Sequence, residues 1–178
     1  MTDISLELRN RAQAIRLMAF DVDGVLTDGK LYLNDAGEEM KAFNTLDGHG
    51  LKMLQASGVA VAIITGRRSR TVELRAGNLG IQHVFQGVED KRSCFLALLA
   101  ELQLSPTQAG FMGDDVVDLP PMRCSGLAIA VPAAPAVVQQ HAHWVTRRAG
   151  GDGAARELCE LIMAAQGTLD AQLARYLD

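Results

Sequence analysis

Short apolar runs alternate with longer stretches whose apolar residues recur three and four positions apart along most of this 178-residue chain. That alternation is the pattern of core strands joined by crossover helices, and it predicts an α/β fold: a Rossmann-like parallel sheet flanked by helices. Residues 17–20, 59–64, 83–85, 110–112 and 127–131 read as the strands, with Trp144-Val145 as an edge candidate. Between them, 48–56, 69–78, 91–102 and 116–122 read as helices, and Gly58 and Gly80 stand where helix C-caps belong. One segment breaks the rhythm. Residues 30–43, with the turn Asn34-Asp35-Ala36-Gly37, read as a β-hairpin inserted after strand one. Near the C-terminus, Gly150-Gly151-Asp152-Gly153 precedes a helical tail over 154–178. No repeat, low-complexity tract or long linker interrupts this, so the expectation is one domain over 1–178.

Charge narrows the partners. With 17 Lys+Arg against 21 Asp+Glu and no basic run, the chain lacks the positive field that nucleic acid requires. An anionic substrate stays open, because a bound divalent cation can reverse the sign of a pocket. Cys94, Cys124 and Cys159 are odd in number and far apart, which reads as reduced thiols of a cytoplasmic protein. Charged residues interrupt the first sixteen positions, against a signal peptide, and the apolar runs are strand-sized, against a membrane span.

The polar residues that carry chemistry fall where the strands end. Strand one runs into Asp21-Val22-Asp23-Gly24-Val25, so two carboxylates share a face of the extended chain at the C-terminal edge where open α/β sheets bind ligands. Gly24 lets the backbone turn and frees a carbonyl to ligate a metal. Alone, the pattern fits an Asx turn equally well. Strand two runs into Thr65-Gly66-Arg67-Arg68, a hydroxyl and free N–H groups suited to a phosphoryl oxygen, or else simple N-capping by Thr65 or Ser69. Strand four runs into Gly113-Asp114-Asp115-Val116-Val117-Asp118, and five carboxylates converging on one edge repel one another unless a cation sits among them. Lys91 heads a helix after Glu89-Asp90; by itself it reads as a solvated lysine. Taken together, in chain order, these are the parts of a phosphoryl-transfer site that uses Mg²⁺: a carboxylate nucleophile, a carboxylate acid, and Thr and Lys on the equatorial oxygens.

These four motifs resemble those of the haloacid dehalogenase superfamily of phosphatases. The resemblance implies that Asp21 is the nucleophile and Asp23 the general acid and later base. It places Mg²⁺ on Asp21, Asp114 and the Asp23 carbonyl, with Asp115 and Asp118 as orienters, and gives Thr65, Gly66 and Lys91 the phosphoryl oxygens. The longer pattern, 21–29, the hairpin, Asp47-Gly48-His49-Gly50-Leu51-Lys52, 113–120 and 150–157, is similar to a small capless branch of that superfamily. A cap domain needs about 50 residues to hold its own core, and the stretch between strand one and Asp47 is filled by the hairpin. The branch implies an eight-carbon 3-deoxy-2-ketoaldonic acid phosphate as substrate, on the way to lipopolysaccharide. A nine-carbon homologue, a broad sugar-phosphate phosphatase and a non-catalytic scaffold are the other readings. It also implies a homotetramer in which hairpins pack together and a neighbour helps to close the pocket. Leu31, Leu33, Met40 and Phe43 suit that barrel, and suit packing on their own domain as well. Substrate contacts are implied for Asn44, Thr45, Leu46, Asp47, Gly48, Lys52, Arg67 and Arg75, since Arg binds a carboxylate in bidentate fashion. Lys52 and Arg75 also read as solvated helix positions, and position 46 is Leu where some relatives carry a basic residue. The glycine-rich turn and Arg156 read either as a cover over the site or as a helix cap.

Overall fold

A computed structural model describes residues 4–177. Its centre is β1 (Leu17–Phe20), every residue of which is buried, as a strand covered on both faces must be. β1 pairs in parallel with β4 (Ala60–Thr65) on one side and β6 (Ala109–Gly113) on the other, so that Phe20 is flanked by Ile63 and Met112. β5 (His83–Gln86), β7 (Leu127–Ala130) and β8 (Trp144–Val145) complete a parallel sheet in the order β5-β4-β1-β6-β7-β8. The chain steps outward from β1 to β5 and then returns to the other side of β1. That reversal opens a crevice at the C-terminal ends of β1 and β6.

The helices α2 (Thr45–Ala56), α3 (Arg70–Leu79), α4 (Lys91–Glu101), α5 (Leu119–Cys124) and α7 (Ala154–Ala165) join or cover these strands. α7 buries Ala154, Ala155, Leu158, Cys159, Ile162 and Met163, an apolar stripe of helical period, and packs on α2. Gly80 caps α3 with φ +72°, as expected.

Several boundaries differ from the sequence expectation, each for a local reason. α2 begins at Thr45 because the Asn44 side chain caps it, accepting the Leu46 N–H at 2.8 Å. The expected helix over 116–122 is a 3₁₀ turn, Val116–Asp118, followed by α5, since Pro120 and Pro121 supply no N–H to a continuous ladder. α1 (Leu6–Ala14) buries only Leu8 and Ala12, and α6 (Ala136–Gln140) only Val138, stripes too thin to be legible. α8 (Leu169–Ala174) lies in the tail. In the hairpin, β2 (Tyr32–Leu33) and β3 (Glu39–Met40) are antiparallel, and Asn34 Oδ1 holds the turn by accepting the N–H groups of Ala36 and Glu38. Leu31, Leu33 and Met40 are exposed, while Phe43 packs against the core. No helix among the described residues is long and apolar enough to cross a membrane.

Candidate active site

β1 delivers Asp21 to the sheet edge, buried and anchored by its N–H to the Met112 carbonyl of β6 at 3.0 Å. The chain then turns, and the Val22 carbonyl collects the N–H groups of Val25, Leu26 and Thr27. Among the described residues none of these bonds goes to the Asp23 carbonyl, which is left for another partner. Gly24 adopts φ +87°, and a Cβ there would collide with the Asp114 carboxylate; only glycine lets motif one lie against the end of β6.

Lys91, the first residue of α4, is buried and donates to Asp21 Oδ1 at 2.8 Å and to Asp118 Oδ1 at 2.6 Å. It is no solvated lysine. Burial works against its ammonium, but Asp21 and Asp118 outweigh that and hold its pKa above the ordinary 10.5. Asp118 Oδ2 accepts the N–H groups of Asp114 and Asp115, so both of its oxygens are engaged. Asp115 is exposed and bonds the N–H of Val116.

Asp21, Asp114 and Asp118 each offer an oxygen within 4.8 Å of the others. Because both Asp118 oxygens are taken by Lys91 and the backbone and Asp21 Oδ1 by Lys91, the oxygens open to a cation are Asp21 Oδ2 and those of Asp114, with the Asp23 carbonyl beside them. Burial raises the Asp114 pKa to about 7, reinforced by the charges of Asp21, Asp118 and Asp115. Burial likewise raises Asp21 to about 6, with Asp118 adding and Lys91 opposing. One lysine does not balance this much negative charge, and a hard divalent cation with oxygen ligands fits the deficit.

Thr65 ends β4, buried, with its carbonyl accepting the Val88 N–H at 3.1 Å. The N-cap of α3 is Ser69, whose side chain makes no capping bond; the capping alternative for this motif is not realised. The Arg67 guanidinium is half-exposed and lies 3.8 Å (Nε) from Asp23 Oδ2.

Residues 36–126 match the family of haloacid dehalogenase-like hydrolases, and the 3-deoxy-D-manno-octulosonate 8-phosphate phosphatase of Yersinia pestis is 49% identical over 160 residues, 90% of this chain and 86% of that protein. The chain belongs to the haloacid dehalogenase-like hydrolases. A crystal structure of the Yersinia pestis phosphatase superposes with a TM-score of 0.92 at 47% identity, covering 94% of this chain and 90% of that one. The Moraxella catarrhalis phosphatase, solved in complex with a magnesium ion, a phosphate ion and a KDO molecule, gives a TM-score of 0.94 at 42% identity over 96% and 98% of the two chains.

Around the carboxylates of this haloacid dehalogenase-like hydrolase, the 44–48 segment is built by side chains with structural work to do. The Asp47 carboxylate is buried and accepts the N–H groups of Gly153 at 3.1 Å and Arg156 at 2.9 Å. It therefore caps α7 and has no free oxygen to turn toward a substrate. Arg75 donates to the Asn44 carbonyl at 3.2 Å and lies over the Phe43 ring, and a Cβ at Gly48 would strike its guanidinium. Thr45, Leu46 and Lys52 are exposed. The glycine-rich turn seats on the first motif and leads into α7: Gly151 donates to the Val25 carbonyl at 2.9 Å, and Asn44 Nδ2 reaches the Gly151 carbonyl. Sequence reasoning missed Lys41 and Glu39, which the hairpin brings to Asp23 and Arg67. Their alternation of charge with Met40 and Ala42 was the available signal. A cavity of about 460 Å³ lies elsewhere, between α1, α7 and β8, lined by Leu8, Arg9, Trp144 and Leu161.

The raised carboxylates set a pH dependence. Unfolded, Asp21 and Asp114 titrate near 3.8; folded, near about 6 and about 7. Between those values the folded chain holds protons that the unfolded chain has released, so their contribution to stability is complete below 3.8 and is lost as the pH rises through about 7. Without divalent cation the melting temperature should fall from about pH 5 to about pH 8. Added Mg²⁺ should reverse this, by roughly 5–10 °C at a hundredfold excess over its Kd, and more at the higher pH. A Mg²⁺ shift equal at both pH values in differential scanning calorimetry would count against these two carboxylates as the cation site.

Proposed function

We infer that this hydrolase is a phosphomonoesterase that converts 3-deoxy-D-manno-octulosonate 8-phosphate to 3-deoxy-D-manno-octulosonate and phosphate, in lipopolysaccharide biosynthesis. The observation that carries the reading is the buried Asp21–Lys91–Asp118 cluster facing Asp114 at the switch point of the sheet, in a chain so close to a phosphatase solved with a magnesium ion, phosphate and KDO.

Asp21 attacks phosphorus in line. As its Oδ–P bond forms and the bond to the sugar oxygen breaks, Asp23 gives that oxygen a proton. Asp23 then takes a proton from water, which attacks the aspartyl-phosphate, releases phosphate and frees Asp21. Lys91 anchors Asp21 through Oδ1, and its charge with the Thr65 hydroxyl and Gly66 N–H receives the phosphoryl oxygens. Asp21, Asp114 and the Asp23 carbonyl would hold Mg²⁺, which when bound neutralises phosphoryl charge. Asp118 fixes Lys91 and the 114–115 backbone, and Asp115 shapes the turn beyond. For the sugar acid, Arg67 is the cation best placed beside Asp23 to take the carboxylate, with Lys52 and the exposed 44–46 segment along the polyol. Arg75, Gly48 and Asp47 serve by holding that segment in shape.

Comparing kcat/KM for the eight-carbon substrate, its nine-carbon homologue and simple hexose phosphates tests the assignment. The eight-carbon ester should lead by about tenfold or more; similar values for all would remove it.

We also propose that the exposed hairpin residues Leu31, Leu33 and Met40 pack against hairpins of further copies in a tetramer that narrows the open site, in the cytoplasm, where the three free cysteines stay reduced. Sedimentation equilibrium should give about four times the 19.1 kDa chain mass, and Leu33→Asp should lower it. A monomeric wild-type chain would refute this assembly.

A further inference from the structure

We propose that Lys41 is a positioning residue for Asp23, holding the acid–base carboxylate in register from the hairpin. The proposal rests on the reading of Asp23 as the proton donor and acceptor of the reaction.

The Lys41 side chain is only 2% exposed. It donates to Asp23 Oδ1 and, at 3.1 Å, to Glu39 Oε1. Glu39 Oε1 also accepts from Arg67 Nη2 at 2.9 Å, and Arg67 Nε stands 3.8 Å from Asp23 Oδ2. The four side chains form a closed ring of two cations and two anions. Burying an ammonium is costly unless it is fully paired, and a hairpin that served only as a connection could leave this lysine in water. Besides that long contact to Arg67, Lys41 is the only partner of the Asp23 carboxylate among the described residues. Asp23 lies in the turn before Gly24, outside any strand or helix, so its carboxylate would otherwise be free to rotate.

The ring also distinguishes the two oxygens. Lys41 occupies Oδ1, whereas Oδ2 has only the long contact to Arg67. Oδ2 is therefore the atom left to pass its proton to the sugar oxygen as the P–O bond breaks, and to recover one from the attacking water. Holding a proton donor within a fraction of an ångström of its target is what makes general acid catalysis effective. Lys41 acts through Asp23 and needs no contact with substrate.

The test compares two esters on the full-length protein: the eight-carbon sugar acid phosphate, whose alkoxide must be protonated to leave, and p-nitrophenyl phosphate, whose phenolate leaves without a proton. Because hydrolysis of the aspartyl-phosphate is common to both esters, the rate is read as release of the alcohol or phenolate in a single turnover: Lys41→Met should lower it on the sugar ester by roughly 30- to 100-fold, with KM changed by less than about threefold and the aryl ester affected by less than about threefold. In an Asp23→Asn background the same substitution should add nothing, and Lys41→Arg should recover activity to within about tenfold of wild type. If Lys41→Met does not fold, Glu39→Gln, which removes the charge that anchors both Lys41 and Arg67, should show the same preference for the sugar ester at about five- to tenfold. Equal losses on both esters, a loss confined to KM, or no loss overturns the proposal. Asp23→Asn slowing single-turnover release of the alcohol and of the phenolate equally would instead sink the reading of Asp23 as the acid, a separate failure visible without any Lys41 variant.

Discussion

Asp21→Asn should reduce phosphate release by about 10⁴-fold or more while leaving the chain folded. Asn has the shape of Asp but is a very poor nucleophile, and it forms no acyl-phosphate. The fold tolerates the exchange for an electrostatic reason. Asp21 is buried among Asp114 and Asp118 and is held protonated up to about pH 6, so removing its charge relieves repulsion on both neighbours, and Lys91 keeps Asp118 as a partner at 2.6 Å. In the absence of Mg²⁺ the variant should melt no lower than wild type. Two measurements decide the matter: steady-state phosphate release, and acid-quenched trapping of a phosphoenzyme from labelled substrate. Turnover retained within tenfold, or a phosphoenzyme still formed, would remove Asp21 from the nucleophilic role.

Lys91→Met should act in the opposite way on stability and in the same way on activity. Among the described residues Lys91 is the one cation bonded to both Asp21 and Asp118, and Asp118 is fully buried. Removing one partner of a buried ion pair strands the other, at a cost of about 3–5 kcal/mol, or roughly 10 °C for a chain of this size. Turnover should fall about 10³-fold, because the phosphoryl oxygens lose a buried charge and Asp21 loses its anchor. The stability penalty has a pH signature. Without the ammonium, which opposes the rise at Asp21, Asp21 binds its proton more readily, so the penalty should shrink as the pH is lowered toward about 5 and be largest above neutrality. Urea denaturation across that range measures it. Asp118→Asn in the same chain should recover part of the loss, since the pair is coupled; a variant as stable as wild type at every pH would show that the ion pair contributes nothing.

The difference between what could be read from the chain and what could not follows from how local each signal is. β1, β4 and β6 were legible as apolar runs because a parallel strand buried on both faces has no polar positions, and the polar motifs at their ends stood out against them. Asp21, Asp114, Thr65 and Lys91 were thus recognisable as candidates before any geometry. How the carboxylates divide their work, with Asp114 toward the cation and Asp118 as an orienter, came only from the family resemblance and not from the spacing of the residues. Asp118 bonds Lys91 with one oxygen and two backbone N–H groups with the other, whereas Asp114 faces its neighbours with its pKa pushed to about 7, and no spacing rule separates them. Asp47 is similar: its place in the sequence next to Asn44 and Gly48 suggests a ligand, but it sits in the first turn of α2 and its two oxygens cap a helix more than a hundred residues onward. Lys41 and Glu39 were hidden because charged residues in a hairpin ordinarily point to solvent, and only the tertiary fold turns them inward.

The brace between the glycine-rich turn and the first motif has a consequence for the order in which this protein becomes itself. The Gly151 N–H bonds the carbonyl of Val25, Asp47 is tied to Gly153 and Arg156 across 106 and 109 residues, and Lys91 reaches back 70 residues to Asp21. Contacts of such long range form late, because loop closure must precede them. A nascent chain that has emerged only through α5 holds all four phosphatase motifs yet lacks the turn that seats the Gly24 loop, so recovery of activity on refolding should coincide with docking of α7 and lag behind the burial of the sheet.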